Sequence, residues 1–415
     1  MSATKIIECL ACGGTELLPM LDLGQQPLAN NFRIDPAQQE PEYPLAVNMC
    51  GQCHHLQLTD AVDPRLIYEN YLYVSGTSKT YTHYMGWYAR WVREQYQTQH
   101  QRHAQPVTVL DIGCNDGSQL DAFSEVDPNL QTYGVDPAAN LHDTSSRKGH
   151  RVALGFWDAG TAGSLKATYG VDTFDVITSQ NAFAHIPDPL SYLQAVNQVM
   201  HDDSLIFIST SQADMVLNDE FDTIYHEHIS FYNAKSMSEL ARRAGLYLQD
   251  VIKTPIHGVS YVFVLGRRPV MNRVHNVLAM EQYQGLYTDD TYAHWAANTR
   301  RLIEELRVFV GMYRSKGWVI GGYGAAAKGM TLLNATGLTL DFIVDDNPLK
   351  QGRWTPGIDT PIVGIDHLDQ YDSRHKILFV PLAWNFFDEI RAKILAKRQC
   401  STDRFLKYFP KVELI

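Results

Sequence analysis

The chain has 415 residues, of which 45% are hydrophobic, and its formal net charge is -11. This length predicts about two to four domains, and the negative charge argues against nucleic acid, which is bound mainly through Lys and Arg on phosphates. A local basic pocket for one diphosphate remains compatible with that charge. The chain shows no signal peptide and no apolar run of about 18 residues, so we expect a soluble, cytoplasmic protein with no membrane partner and a small-molecule substrate. The sequence leaves the oligomeric state open, with a monomer as one option.

Two C-x-x-C pairs stand near the N-terminus, Cys9 with Cys12 and Cys50 with Cys53. Each tight turn can present two thiolates to one ion, which suits tetrahedral zinc. The 37 residues between the pairs are more than the usual ribbon spacing. Four thiolates leave no open position for a substrate, so we predict a structural zinc module over residues 1–66. Disulfides are the alternative, which a reducing cytoplasm disfavours.

From Val107, strand and helix patterns alternate and predict an α/β, Rossmann-like domain, to which we assign residues 67–270. A helix is expected from Pro189 to Met200, and Ser236 with Glu239 has capping-box spacing for a later helix that Gly245 can end. The predicted strands are Val107–Asp111, Thr132–Asp136, Phe174–Ser179, Ser204–Ser209, Tyr247–Lys253 and Ser260–Leu265.

The first of these strands runs into the motif Asp111-x-Gly113-x-x-x-Gly117. Its spacing differs from the dinucleotide fingerprint, in which one residue separates the first two glycines, and it matches the S-adenosylmethionine loop of class I methyltransferases. Gly113 lets the backbone approach the amino-acid end of the cofactor, and Asp136 can accept hydrogen bonds from both ribose hydroxyls. Asn115 completes the loop's predicted cofactor residues. A structural turn in another doubly wound domain is the alternative.

Two polar residues, Asn181 and His185, follow a later predicted strand. Open α/β sheets bind ligands beyond the carboxyl ends of their strands. We therefore assign Asn181 to the cofactor, while His185 either orients the next loop or contacts the substrate.

The run Tyr225-His226-Glu227-His228 follows the strand near Ser209, above the carboxyl edge of the sheet where an acceptor must sit. On a helix, Tyr225 and His228 would share a face, which favours His228 over His226 as a base. A neutral imidazole with a pKa of about 6.5 can take a proton near neutral pH. A dedicated base suggests a carbon nucleophile, made by removing a proton beside a carbonyl.

The other members of this run have supporting roles in the hypothesis. Tyr225 can donate to the carbonyl oxygen and stabilise an enolate, and Glu227 either orients a ring or stays solvated. A surface loop and a metal site are the alternatives. The H-E-H spacing does not bring both imidazoles onto one helix face, which disfavours the metal site.

A polar, helix-rich connector over residues 271–316 leads to a second Rossmann-like α/β domain over residues 317–415. It begins with Gly322-Tyr-Gly324-Ala-Ala-Ala-Lys328-Gly329, and Asp345 follows. This pattern imitates a dinucleotide fingerprint, so NAD is one candidate ligand. Lys328 adds a cation to a helix N-terminus, which equally suits the diphosphate of a nucleotide sugar. A purely structural turn is the third alternative.

The order of these motifs resembles the sugar C-methyltransferases of deoxysugar biosynthesis, over nearly the whole chain. The resemblance includes Tyr71-Leu-Tyr73-Val-Ser75-Gly-Thr-Ser78 ahead of the cofactor domain. It implies a nucleotide-activated 4-keto sugar, dTDP-linked or similar, as acceptor and His228 as the base that removes the C-3 proton. It also implies that Tyr73, Tyr225 and His185 line the pocket. An O- or N-methyltransferase and an NAD-dependent oxidoreductase or isomerase remain the alternative functions.

Overall fold

Residues 3–68, 74–77, 79–99, 107–211, 214–256, 259–270 and 273–415 are described by a computed structural model. Within these ranges, the α/β class predicted from the sequence is confirmed, with an antiparallel module followed by two α/β units. No helix in the same ranges is both long and apolar enough to cross a bilayer.

The N-terminal module is built on antiparallel strands. Along β3, buried side chains alternate with half-buried ones, as expected for a strand with one face on a core. A short strand from further along the chain, Ser230–Phe231, pairs with the edge of this sheet at β4. The elements of the module are β1 (Ala3–Lys5), β2 (Leu17–Pro27), β3 (Glu42–Cys50), β4 (Leu56–Leu58), β5 (Asp60–Val62) and α1 (Arg65–Tyr68).

The central unit is a mixed sheet with the strand order β12-β13-β10-β9-β6-β7-β8. The strands from β10 to β8 are parallel, and β13 pairs antiparallel with both β10 and β12. The carboxyl ends of β6, β7, β9 and β10 therefore meet along one edge. The elements are α2 (Lys79–Gln99), β6 (Thr108–Ile112), α3 (Ser118–Val126), β7 (Gln131–Asp136), α4 (Ala139–Arg147), β8 (Arg151–Leu154), α5 (Ala159–Tyr169), β9 (Phe174–Gln180), α6 (Pro189–Gln198), β10 (Met200–Ser211), β11 (Ser230–Phe231), α7 (Ala234–Arg243), β12 (Tyr247–Thr254) and β13 (Ser260–Gly266).

The predicted start of α7 is wrong by three residues, nearly one helical turn. Asn233, not Ser236, is the N-cap, because its side chain accepts from the Ser236 N–H at 2.8 Å. Ser236 Oγ accepts in return from the Asn233 N–H at 3.1 Å, so the capping box is Asn-x-x-Ser and Glu239 plays no part in it. Gly245 follows the helix with a φ of +75°, the left-handed conformation predicted there.

Two helices connect the central sheet to the C-terminal sheet, whose strand order is β16-β15-β14-β17-β18-β19. The pairs are parallel except for β18 with β19. The boundaries 1–66, 67–270, 271–316 and 317–415 stay a prediction. The elements are α8 (Arg273–Tyr283), α9 (Asp289–Ser315), β14 (Val319–Tyr323), α10 (Ala327–Thr336), β15 (Phe342–Val344), β16 (Ile362–Val363), β17 (Ile377–Pro381), α11 (Phe387–Arg398), β18 (Arg404–Lys407) and β19 (Glu413–Leu414).

Candidate active site

The N-terminal cysteines form one cluster, in which the four Sγ atoms lie within 4.8 Å of one another. Sγ of Cys9 is 3.5 Å from that of Cys53, and Sγ of Cys12 is 3.5 Å from that of Cys50. No disulfide joins these thiols. A tetrahedral ion with Zn–S bonds of about 2.3 Å needs sulfur atoms about 3.8 Å apart, so the donor set fits zinc.

The predicted cofactor loop lies at the carboxyl end of β6. Gly113 has a φ of +83°, and a Cβ there would lie 2.7 Å from the Cβ of Ala182, so only glycine fits. Asp136, at the end of β7, accepts from the backbone N–H groups of Asn115 and Ala138, each at 2.8 Å. Burial raises the pKa of Asp136. A carboxylate has about four acceptor positions, so two remain for ribose hydroxyls.

Two side-chain oxygens beside this loop are buried and have no hydrogen-bond donor among the described residues. They are Oε1 of Gln180 and Oδ1 of Asn181. Asn181 has a φ of +52°, which turns the chain sharply after β9. Buried oxygens are nearly always paired, so a bound ligand with N–H or O–H donors would complete both groups.

Asp111 and Gly117 stabilise the loop but do not line the large cavity beside it. Asp111 accepts from the Thr178 hydroxyl at 2.6 Å, and burial raises the pKa of Asp111 to about 7. Gly117 has a φ of +78° and is the N-cap of α3. Within the predicted cofactor loop, Asp111 and Gly117 thus shape the turn, whereas Gly113 and Asn115 line the cavity.

We expect Asp136→Asn to weaken the binding of S-adenosylhomocysteine by about 10- to 100-fold. Hydrogen bonds to a charged group contribute about 1.5–3 kcal/mol, and the amide loses the charge and one acceptor. Calorimetric titration of the purified variant measures the change. Asp143→Asn, on the exposed face of α4, is the matched control and should bind normally; equal affinity in both variants would contradict the assignment.

A cavity of about 1070 Å³ runs from the cofactor loop to the C-terminal unit. This volume slightly exceeds the usual range for ligand pockets, about 300–1,000 Å³, so it has room for a cofactor and a second ligand. Residues from all parts of the chain line it, including Asn30, Phe32, Tyr68, Gly113, Asn115, Asp136, Trp157, Asn181, His185, Tyr225, His228, Ala326, Lys328, Lys350 and Trp384.

Tyr225 and His228 face this cavity from a turn. The His228 N–H donates to the Tyr225 carbonyl at 2.8 Å, and the ring centroids are 4.1 Å apart. The helix considered for residues 225–228 is therefore wrong, although its consequence, the approach of these two rings, is observed. The chain must be extended by Ser230 to pair with Gln57 of β4, and a helix could not make that pairing.

Hydrogen bonds on both ring nitrogens fix the orientation of His228. Nδ1 lies 2.9 Å from the Thr223 carbonyl oxygen, which can only accept, so Nδ1 carries the proton. In the neutral ring, Nε2 then has the lone pair and accepts from the Tyr225 hydroxyl at 2.8 Å. A neutral imidazole with its basic nitrogen at a cavity wall is the arrangement that a general base requires.

His185 lies between two other rings. Its centroid is 5.2 Å from that of His228 and 5.4 Å from that of Tyr68, with which it is stacked. Nε2 of His185 is buried without a hydrogen-bond partner among the described residues. Burial lowers the pKa of His185 to about 4, so the ring is neutral at pH 7 and can bond a polar group of a ligand. Tyr68 was not predicted, because no local pattern in the sequence distinguishes it from the other tyrosines.

His226 and Glu227 face the N-terminal module instead of the cavity. Nε2 of His226 donates to the Tyr43 carbonyl at 3.3 Å, and burial lowers the pKa of His226 to about 4. Glu227 is buried and accepts from Nδ2 of Asn30 at 2.5 Å. Tyr73, the remaining predicted catalytic and substrate residue, lies outside the described residues.

The C-terminal glycine turn reaches the same cavity. Gly324 has a φ of +85°, and a Cβ there would lie 2.8 Å from the Cβ of Ala383, so the chain can turn only with glycine. Lys328 follows in the first turn of α10, and its ammonium lies 5.3 Å from the centre of the Trp384 ring. Of the predicted pair, Lys328 lies on the wall of the cavity that His228 also lines, whereas Gly324 shapes the turn and does not line the cavity.

A second lysine, Lys350, lines the cavity beside this turn and was not predicted. Its Nζ donates to the Ala325 carbonyl at 2.7 Å and lies 4.9 Å from the centre of the Phe32 ring. Burial lowers the pKa of Lys350.

Among the described residues, no carboxylate oxygen lies within 4.0 Å of the ammonium of Lys328 or Lys350. Carboxylates at longer range attract both ammonium groups, Asp222 in the case of Lys328 and Asp345 in the case of Lys350. The two lysines are candidates for binding an anionic ligand at the cavity wall.

Three protein-family models match the chain in the order of its structural units. A zinc binding domain matches residues 9–68, a methyltransferase domain matches residues 84–251, and a C-methyltransferase C-terminal domain matches residues 255–410. Together they cover the thiol cluster, the cofactor loop with the Tyr225–His228 turn, and the C-terminal glycine turn.

Two relatives illustrate the similarity. The chain is 29% identical over 395 residues to the C-methyltransferase NovU of Streptomyces niveus, covering 93% of this chain and 91% of that protein. It is 26% identical over 186 residues to a ubiquinone biosynthesis O-methyltransferase of Nitrosospira multiformis, covering 40% of this chain and 73% of that protein. The similarity to NovU thus extends through all the structural units.

Similarity to solved structures is weak. The plantazolicin methyltransferase BpumL in complex with SAH has 16% sequence identity and a TM-score of 0.35, covering 45% of this chain and 84% of its own. An S-adenosylmethionine-dependent methyltransferase from Clostridium acetobutylicum has 13% identity and a TM-score of 0.33, covering 44% and 91%. TM-scores below 0.5 add no weight to the assignment.

The site and the family models agree on the groups that the chain binds. The predicted cofactors are confirmed: S-adenosylmethionine is the methyl donor, and the Cys9, Cys12, Cys50 and Cys53 cluster holds a structural zinc ion. The chain is an S-adenosylmethionine-dependent methyltransferase that is similar to the C-methyltransferase NovU through its zinc-binding, methyltransferase and C-terminal C-methyltransferase domains.

Proposed function

We propose that this enzyme methylates C-3 of a nucleotide-activated 4-keto deoxysugar. The observation that carries the proposal is the His228–Tyr225 pair, in which Nδ1 donates to the Thr223 carbonyl and Nε2 bonds the Tyr225 hydroxyl at the wall of a cavity shared by the cofactor loop and two lysines. Oxygen and nitrogen nucleophiles often need only positioning and proton loss, whereas a carbon nucleophile must be made by a base beside a carbonyl. The similarity to a C-methyltransferase supports the same choice.

In the proposed reaction, Nε2 of His228 takes the C-3 proton, and the electrons of the C–H bond move into the adjacent carbonyl to give an enolate. The single lone pair of Nε2 is available for this proton once the Tyr225 hydroxyl, 2.8 Å from Nε2, has turned to donate to the carbonyl oxygen of the bound acceptor. The same hydroxyl then stabilises the enolate oxygen that forms. Bound S-adenosylmethionine supplies an electrophilic methyl group to the enolate carbon.

The remaining cavity residues hold the acceptor in this proposal. Lys328 and Lys350 flank the glycine turn and would bind the two phosphates, while Trp384 beside Lys328 offers a flat apolar surface. His185, neutral and without a partner on Nε2 among the described residues, would bond a sugar oxygen. A dianionic nucleotide suits the two cations better than an uncharged acceptor.

We expect Lys350→Met to raise the KM for the nucleotide sugar by about 10- to 100-fold, since a charge-assisted hydrogen bond contributes about 1.5–3 kcal/mol. Calorimetric titration with dTDP should show a comparable loss of affinity, while kcat changes little. The control is Lys316→Met, an exposed lysine after α9. Unchanged dTDP affinity in Lys350→Met would contradict a role in phosphate binding.

A screen of 4-keto sugar nucleotides with labelled S-adenosylmethionine tests the proposed function as a whole. Product NMR distinguishes a methyl group on carbon from one on oxygen or nitrogen, because their chemical shifts differ widely. A methyl group on carbon is the expected result. A methyl group on oxygen would instead support the second candidate, O-methylation, which the similarity of the central domain to the ubiquinone enzyme favours.

A further inference from the structure

The turn over residues 225–228 divides its side chains between two surroundings. Tyr225 and His228 face the cavity, whereas His226 and Glu227 point into the N-terminal module. Tyr225 and His228 are therefore held in place by the contacts that His226 and Glu227 make with the N-terminal module, which lies more than a hundred residues away in the chain.

The chain immediately after the turn continues this attachment. The Leu58 N–H donates to the Ile229 carbonyl at 2.9 Å, and β11 pairs antiparallel with β4 through Ser230 with Gln57. Nε2 of His55 also lies 3.2 Å from the Ser230 hydroxyl. The proposed base is thus two residues from a strand of the zinc-binding sheet.

Two residues of the N-terminal module both line the cavity and contact the turn: the Tyr68 hydroxyl donates to the Glu227 carbonyl at 3.4 Å, and the Asn30 amide donates to the Glu227 side chain. The loop of Asn30, between β2 and β3, is itself anchored on the C-terminal unit. The Arg33 N–H donates to the Trp354 carbonyl at 3.0 Å, and the Trp354 N–H donates back at 2.8 Å. The Arg33 guanidinium also donates to the Thr355 carbonyl at 2.8 Å. Asn30 therefore approaches Glu227 from a loop that is fixed at its other end.

We propose that Asn30 is a positioning residue for the base and acts through Glu227, which makes the zinc-binding module part of the active site. A buried carboxylate needs donors, and the Asn30 amide supplies one without neutralising its charge. Without this bond, Glu227 turns towards another donor and the turn carrying His228 shifts. A displacement of about 1 Å can cost about 100-fold in rate. The inference rests on His228 being the base of the proposed function.

A double-mutant cycle tests the coupling. Asn30→Ala and Glu227→Ala should each lower kcat by about 10- to 100-fold with little change in KM, and the double variant should lose no more than the worse single variant. Asn31→Ala, whose exposed side chain points to Glu40 at 3.4 Å, is the matched control and should behave as wild type. Multiplicative losses in the double variant would overturn the proposal.

Hydrogen exchange of the peptide over residues 225–231 gives a second measurement that does not need the substrate. Asn30→Ala should exchange faster there than wild type and Asn31→Ala, with zinc content and S-adenosylhomocysteine affinity unchanged. Equal exchange in the three proteins would overturn the proposal. If the wild-type enzyme neither exchanges the substrate C-3 proton nor methylates carbon, the proposed function is refuted. Amide hydrogen exchange over residues 225–231 still decides in that case whether Asn30 positions the turn.

Discussion

His228→Asn is expected to abolish methyl transfer and to stop the exchange of the substrate C-3 proton with deuterated water. The amide of asparagine can replace Nδ1 as a donor to the Thr223 carbonyl, so the turn keeps its shape. It provides no basic nitrogen in place of Nε2, which accepts from Tyr225 at 2.8 Å. Loss of a general base typically costs about 10²- to 10⁴-fold in rate. Single-turnover methylation and proton NMR in deuterated water measure both effects.

The pattern of results separates loss of the base from loss of the fold. His228→Asn should bind S-adenosylhomocysteine with wild-type affinity, because the cofactor residues Gly113 and Asp136 are not its hydrogen-bond partners. His294→Asn, on the exposed side of α9, should keep both activities. Continued exchange of the substrate C-3 proton in His228→Asn would contradict the assignment of His228 as the base, even if methyl transfer were lost.

Local patterns predicted the parts of the fold and site whose physical cause is local. Gly113, Asp136 and Gly324 mark positions where a strand ends and the backbone must turn, and such positions need particular residue types. Paired thiols within one tight turn likewise indicate a metal ligand set from their spacing alone. The approach of Tyr225 to His228 followed from their short separation in the chain, although a turn and not a helix produces it.

The residues that were missed contribute through contacts between distant segments. Asn30 and Glu227 are separated by 197 positions, and Lys350 reaches the cavity from an irregular segment beyond β15. Tyr68 stacks on His185 from the end of the N-terminal module. No spacing rule connects such residues, because their neighbours are set by the docking of one unit on another.

Removal of zinc is expected to have the second large effect, on stability and on the active site together. Structural zinc contributes about 10–16 kcal/mol of apparent binding free energy, which is as large as the whole stability of an ordinary domain, about 5–15 kcal/mol. Cys50→Ser should therefore lose the metal, normally about one per chain, and lower the melting temperature. Metal analysis and calorimetry check both outcomes, with Cys400→Ser, outside the cluster, as control.

The effect should reach the turn over residues 225–228 through the sheet. β3 ends at Cys50, β4 begins three residues after Cys53, and β11 pairs with β4 directly after the turn. When the metal leaves, the turn that carries Cys50 and Cys53 no longer fixes the register of β3 with β4. β11 then loses its pairing with β4. Hydrogen exchange over residues 225–231 should then rise in Cys50→Ser, while exchange in the C-terminal sheet stays slow. A zinc-free protein with a well-protected turn would show that the module is only a separate structural unit.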